Sequence, residues 1–449
     1  MSLNRRQFLS LCLKGGVSAA ALTSLQLQAL TGSVNTTQLT DYKALVCVFL
    51  YGGNDSLNML VPLDGEQRIL YEQSRQNLAV ASPVALNTPT NFAGGVGLHP
   101  SLSAIKSVFD SANLAFVGGV GTLLTPTTYN DYKNKTTALP KHLFSHNDQQ
   151  ASWMYGREKQ SLNSGWGARL LERLGQQDQF AANISLDGTN LWQTGDQTKA
   201  FALNKSGISK INAFSGYQPR AEHVTSIMNR LMNNTQHPLT TAYASSFNSA
   251  INNTQAMNAA LESGVEFATV FSETSLSEQL AAVAKAISVQ SRLSTQRQVF
   301  FVSMGGFDTH DDQLDTHPLL LNTLAQGLAE FDSAMKELNM ADNVTTFTMS
   351  DFGRTLTSNG DGTDHGWAGN QIVMGGAVQG GNIYGELLTQ HLDGPQDVGS
   401  GRLIPSVANE QYFATLAKWF GVPDSELVDI FPNLSNFNQH TLNLFGSSL

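Results

Sequence analysis

Four apolar runs, each running into a turn that contains glycine, constrain this sequence more than any other feature. Ala44-Leu45-Val46-Cys47-Val48-Phe49-Leu50 passes through Tyr51 into Gly52-Gly53-Asn54-Asp55, and Leu114-Ala115-Phe116-Val117 meets Gly118-Gly119. Val299-Phe300-Phe301-Val302-Ser303-Met304 leads to Gly305-Gly306-Phe307-Asp308-Thr309-His310. Val344-Thr345-Thr346-Phe347-Thr348-Met349 leads to Ser350-Asp351-Phe352-Gly353-Arg354. A short run that is apolar without alternation reads as a strand buried on both faces, the habit of parallel sheets. Helix-spaced apolar positions lie between them, in residues 100–111 and 319–338. Alternating strand and helix predicts an α/β fold, a mainly parallel central sheet with helices on both faces. Such sheets bind ligands beyond the carboxyl ends of their strands, and three of these four strands deliver an aspartate there.

The remaining organisation is coarser. Residues 219–294 are polar and rich in Asn, Ser, Thr and Ala, with helix-spaced Leu276, Leu280, Val283 and Ile287; they are expected to form a helical insertion or cap. Residues 410–420 predict a further helix, stopped by Gly421 and Pro423. With 14% charged residues and 39 glycines, residues 35–449 are expected to fold as one large domain rather than remain disordered.

The first 34 residues read differently. Asn4-Arg5-Arg6-Gln7-Phe8-Leu9 precedes a modest apolar stretch broken by Lys14, Gly15 and Gly16. A twin-arginine start followed by a short apolar segment predicts an export signal handled by the twin-arginine translocase, with no permanent membrane span. The expected location is therefore periplasmic or secreted. Losing Arg5, Arg6 and Lys14 would take the formal charge from −10 to −13, which disfavours nucleic acid as a partner. Of the two cysteines only Cys47 would remain, so no internal disulfide forms, and stability must come from the core, a ligand or a metal.

Asp55, Asp308, His310, Asp351 and His365 all follow predicted strands or sit in glycine-rich loops, and carboxylates with imidazoles at one sheet edge suit a divalent metal: zinc, manganese or calcium. Each aspartate alone could equally cap the next helix. Ser145-His146-Asn147-Asp148 opens another predicted helix, making Ser145 either a nucleophile at a positive helix end, with His146 beside it as a further catalytic candidate, or simply a cap. Arg354 could hold a tetrahedral anion or pair with an aspartate. The sequence has no Gly-x-Ser-x-Gly, His-Glu-x-x-His, Walker loop or Gly-x-Gly-x-x-Gly after its first strand. That disfavours serine hydrolases of the usual α/β type, zincin proteases and nucleotide enzymes.

Together, Phe49 to Asp55, Ser145 to Asp148, Gly306 to His310, Ser350 to Thr355 and Asp364-His365-Gly366-Trp367 resemble a bacterial family of twin-arginine-exported proteins described as a domain of unknown function. That family is grouped with the alkaline phosphatase and sulfatase superfamily. The resemblance implies an alkaline phosphatase-like sandwich and a metal-dependent hydrolase of phosphate or sulfate esters acting on an anionic ester substrate. It implies that Asp308, His310 and His365 bind one metal and that Asp55 and Asp351 bind another. Phe352 stands where the superfamily's phosphatases carry a histidine, and no Cys-x-Pro-x-Arg sulfatase signature is present. The alternative expectation is a non-catalytic extracytoplasmic binding or assembly protein on the same fold.

Overall fold

The apolar runs do form parallel strands, and their alternate side chains enter two separate cores. In β1 (Lys43–Leu50), Ala44, Val46, Val48 and Leu50 face one core, while Leu45, Cys47 and Phe49 face the other. This explains the unbroken apolar run: neither face of the strand meets water. The computed structural model describes residues 39–157, 164–204 and 238–446, with a few positions between 222 and 230. The expected export signal lies outside these residues, and so does the start of the 219–294 segment. Residues Leu39–Leu449 form one compact unit.

The other strands of the main sheet are β2 (Leu114–Gly121), β3 (Asn183–Ser185), β4 (Phe201–Ala202), β5 (Arg297–Met304), β6 (Val344–Ser350), β7 (Gly369–Met374), β8 (Ile383–Gly385) and β9 (Val407–Ala408). Their order is β8-β2-β7-β6-β1-β5-β3-β4, with β9 also beside β2. All pairings are parallel except those of β7, which runs antiparallel to both β2 and β6. A short hairpin, Arg354–Ser358 with Thr363–His365, rises between β6 and β7.

Helices cover both faces, as the α/β reading requires. On one side lie α5 (Ser275–Ser288) and α6 (Gln313–Glu337), burying Leu276, Leu280, Val283 and Ile287 with Leu321, Leu324, Leu328 and Phe331. The predicted apolar face of residues 276–293 therefore belongs to a layer of the sandwich. The helix expected over 319–338 begins earlier, at Gln313, and runs through Pro318 in its second turn. The helix expected over 100–111 is split into a 3₁₀ turn, Pro100–Ile105, and a short α-helix, Lys106–Asp110. On the other side lie α3 (Trp166–Arg173) and α7 (Asn409–Phe420), with α2 (His146–Tyr155) contributing Trp153 and Met154. Trp166 anchors that core: its ring stacks on Phe413 at 4.8 Å and meets Trp192 at 5.2 Å. A fully buried tryptophan of this kind contributes about 3–5 kcal/mol. A further helix, α4 (Pro238–Glu262), precedes α5. Among the described residues no helix is long and apolar enough to cross a membrane.

Candidate functional site

Strands β6, β1 and β5 are adjacent and parallel, so their carboxyl ends open on one edge of the sheet and bring Asp351, Asp55 and Asp308 to it. The loops that follow are locked together by backbone. Phe307 N donates to Tyr51 O at 3.1 Å, and Asn54 N donates to Ser350 Oγ at 2.9 Å. Gly52 permits this closeness: its φ is +114°, and a Cβ there would lie 2.3 Å from Asp308 N.

Five of the residues picked out by sequence meet at this edge. His365 Nε2 lies 3.0 Å from His146 Nε2 and 2.9 Å from His310 Nε2. The carboxylate of Asp308 touches all three, at 3.4 Å from His146, 3.1 Å from His310 and 3.4 Å from His365. Asp351 stands behind His146, its Oδ2 2.6 Å from His146 Nδ1. His146 enters the cluster from the first turn of α2, and His365 comes from the short hairpin.

Tautomers follow from the partners of the other ring nitrogens. The Phe144 carbonyl can only accept, so His365 Nδ1, 2.8 Å away, carries a proton. Asp351 Oδ2 also accepts from the Gln150 amide at 2.9 Å and Gly52 N at 3.3 Å, which marks it as the acceptor for His146 Nδ1. Asp364 Oδ1 lies 3.2 Å from His310 Nδ1 and plays the same part. With each Nδ1 as the donor, the Nε2 of His365 lies between those of His146 and His310, beside the Asp308 carboxylate. Lone pairs at such separations repel unless a cation lies between them. Nitrogen donors about 2.0–2.1 Å from a tetrahedral ion would sit about 3.3 Å apart, near the 3.0 and 2.9 Å that separate His365 from His146 and His310. Hydrogen-bonded outer nitrogens are also how metal-binding histidines are usually held. The ligand atoms of His146, Asp308 and His365 all lie within 4.8 Å of one another. The donor set thus fits a divalent ion.

Burial tunes the charges. For Asp308, burial acts upward, but the hydrogen bond and charge of Arg354, with the nearby His146 and His310, hold the carboxyl below its ordinary range. For Asp351, burial outweighs the hydrogen bonds of Gln150 and His146 and pushes the carboxyl up. Burial lowers His365, favouring the neutral ring a metal requires.

Four expected residues stand differently, and Asp351 is one: expected as a metal ligand, it accepts from His146 Nδ1 instead. Asp55 is fully buried outside the cluster, ion-paired with Arg75 and accepting from Gln313 Nε2 at 2.6 Å. Ser145 precedes α2, and its Oγ donates to Asp148 Oδ2 at 2.7 Å. Arg354 is 1% exposed and directed inward: Nη1 donates to Asp308 Oδ1 at 2.7 Å and to Gly52 O at 3.2 Å, and Nη2 donates to Thr363 O. Its charge holds Asp308 rather than facing solvent. Phe352 packs its ring against His146 and His365 at 4.8 and 4.7 Å.

The outer partners carry weaker sequence signals. Gln150 lies one helical turn after His146, so both reach Asp351 from one face of α2. Asp364 adjoins His365 in sequence, but only the hairpin turns it toward His310. Arg402 Nε donates to the His365 carbonyl at 3.0 Å, and its guanidinium lies over the Phe144 ring. No local pattern marks it.

Residues 42–428 match the family described as Protein of unknown function (DUF1501), and the chain belongs to that family. No curated protein matches it. Among solved structures, the chain is similar to Ps i-CgsB in complex with k-i-k-neocarrahexaose, at 10% identity and TM-score 0.37, covering 89% of this chain and 77% of that one. It is similar to the lipoteichoic acid synthase LtaP from Listeria monocytogenes at 9% identity and TM-score 0.34, covering 88% and 76%. BT1596, a 2-O GAG sulfatase, aligns at 8% identity and TM-score 0.31, covering 87% and 74%.

Proposed function

We propose that this protein is an exported, metal-dependent hydrolase of phosphate or sulfate esters. The observation that carries the metal assignment is the clustering of three Nε2 atoms beside the Asp308 carboxylate. His146, His310, His365 and Asp308 would hold the ion, and three imidazoles with one carboxylate favour zinc or manganese over calcium. Such an ion would polarise an ester oxygen and generate hydroxide from water near neutral pH. The chain's own groups supply the rest. Asp351, Asp364 and the Phe144 carbonyl fix the imidazole tautomers and ring planes. Arg354 holds Asp308 ionised and oriented. Ser145 and Asp148 pair a hydroxyl with a carboxylate able to take its proton, at the positive end of α2.

Zinc-loaded protein should hydrolyse a p-nitrophenyl phosphate or sulfate ester, and His365→Ala should abolish turnover while the protein stays folded. Retained turnover in that variant would overturn the assignment. The burial of Arg354 favours a second reading, metal-supported binding without turnover, because that guanidinium presents no free face to an anion. On that reading the loaded protein binds sulfate or phosphate oligosaccharides and cleaves no ester. Export is tested separately: Arg5→Lys with Arg6→Lys should leave the protein in the cytoplasm, and unchanged export would refute the twin-arginine route.

A further inference from the structure

We infer that Asp55 is a positioning residue rather than an ion ligand, that the Arg75 guanidinium is its built-in counter-charge, and that the centre therefore takes a single divalent ion. The inference rests on the metal reading above and goes beyond it in assigning the stoichiometry and the residues that set the geometry. Both side chains of the Asp55–Arg75 pair are fully buried. A buried carboxylate needs a compensating charge, and here a guanidinium already supplies it. A divalent ion on the same carboxylate would meet that fixed positive charge at contact distance.

The pair is wired to two of the three segments that carry an ion-binding group, the loop after β5 and the hairpin. Arg75 Nη1 donates to Thr355 O at 2.8 Å, beside Arg354. Gln313 bridges from the other side. Its Nε2 donates to Asp55 Oδ2 at 2.6 Å, while its Oε1 accepts from Thr363 Oγ1 at 2.6 Å and from Thr309 Oγ1 at 3.2 Å. Thr309 lies between Asp308 and His310, and Thr363 lies two residues before His365. One buried carboxylate at the end of β1 thus fixes the loop after β5 and both strands of the hairpin. Outer partners of this kind change metal affinity about 10–100-fold when removed.

The test uses full-length protein, stripped with chelator, re-titrated with zinc and measured for bound metal after desalting. The expected result is one zinc per chain in the wild type and in Asp55→Asn, and one in Gln313→Leu with a dissociation constant about 10–100-fold higher. Melting of each metal-free variant, measured in parallel, separates weakened binding from unfolding. Two zinc ions per chain in the wild type, with one lost in Asp55→Asn, would overturn the inference and leave the metal reading standing. Wild-type affinity in Gln313→Leu would remove the positioning role. No zinc bound by any form would overturn the metal reading itself, and the inference with it.

Discussion

Replacing Asp351 by Asn should weaken metal binding without weakening the metal-free fold. In the wild type, Oδ2 of Asp351 accepts from His146 Nδ1, Gln150 Nε2 and Gly52 N, while its buried Oδ1 has no partner among the described residues. An asparagine can place its oxygen where Oδ2 lies and keep all three donors satisfied. What it loses is the charge behind His146, and that loss should raise the dissociation constant for zinc about 10–100-fold. Melting temperature reports this. The Leu39–Leu449 unit, 449 less 38 residues, has an unfolding entropy of about 0.9 kcal/mol/K at roughly 2.1 cal/mol/K per residue. At zinc 100-fold above the wild-type dissociation constant, binding stabilises by about 2.7 kcal/mol, a rise of about 3 °C. At the same zinc concentration the variant should gain only about 0.4–1.4 kcal/mol, or about 0.5–1.6 °C. Without metal it should melt close to wild type, because removing a carboxylate that burial pushes up offsets the unpaired amide N–H groups placed where Oδ1 lies. Thermal melts with chelator and with added zinc measure both numbers. A full-sized zinc shift in the variant, or a collapse of its metal-free stability, would refute the reasoning.

Further outcomes follow from the same geometry. His317 is buried and its ring is pushed down to about 4, so as pH falls the unfolded chain takes up the proton first. Stability should therefore be lost between about pH 6.5 and 4, on the order of 3 kcal/mol, and His317→Gln should flatten that part of the denaturation-midpoint profile; an unchanged slope would contradict it. Zinc affinity should fall at acid pH, since an imidazole must be neutral to bind, and burial moves the loss of His365 below the ordinary histidine range, with protons released on titration; affinity unchanged on full acidification of the folded protein would exclude imidazole ligation. Gly52→Ala should displace the Asp308 loop, costing about 1–3 kcal/mol in backbone strain and lowering zinc affinity together, as melts and titration would show; wild-type values for both would mean the two loops are free to part.

The sheet was legible because parallel strands buried on both faces leave an unmistakable apolar run, and because the turns after three of them carry aspartate. That pattern also delivered most of the cluster: Asp308, His310, Asp351 and His365 were all visible as residues at strand ends or in glycine-rich loops. The pattern could not separate Asp55 from the other two aspartates. Its partner, Arg75, is the last residue of the helix Gly65–Arg75, and nothing local to either residue announces a buried ion pair. His146 was legible as a candidate but not as a member of the histidine triad, since only the packing of α2 across the sheet edge aims its ring at His365. The antiparallel β7 was missed for a similar reason. Its direction is set by the hairpin before it, and the sequence of that hairpin reads as a glycine-punctuated loop. The early start of α6 at Gln313 was hidden by Pro318, which usually signals a helix boundary. Here it sits in the second turn of a helix whose start also places Gln313 against Asp55.

The central claim is that three imidazoles and one carboxylate form a single metal centre, and anomalous diffraction from a zinc-loaded crystal tests it most directly. The account predicts one peak per chain, about 2.0–2.2 Å from the Nε2 atoms of His146, His310 and His365 and from an Asp308 oxygen. A peak at Asp55, or none among the three imidazoles, would contradict it.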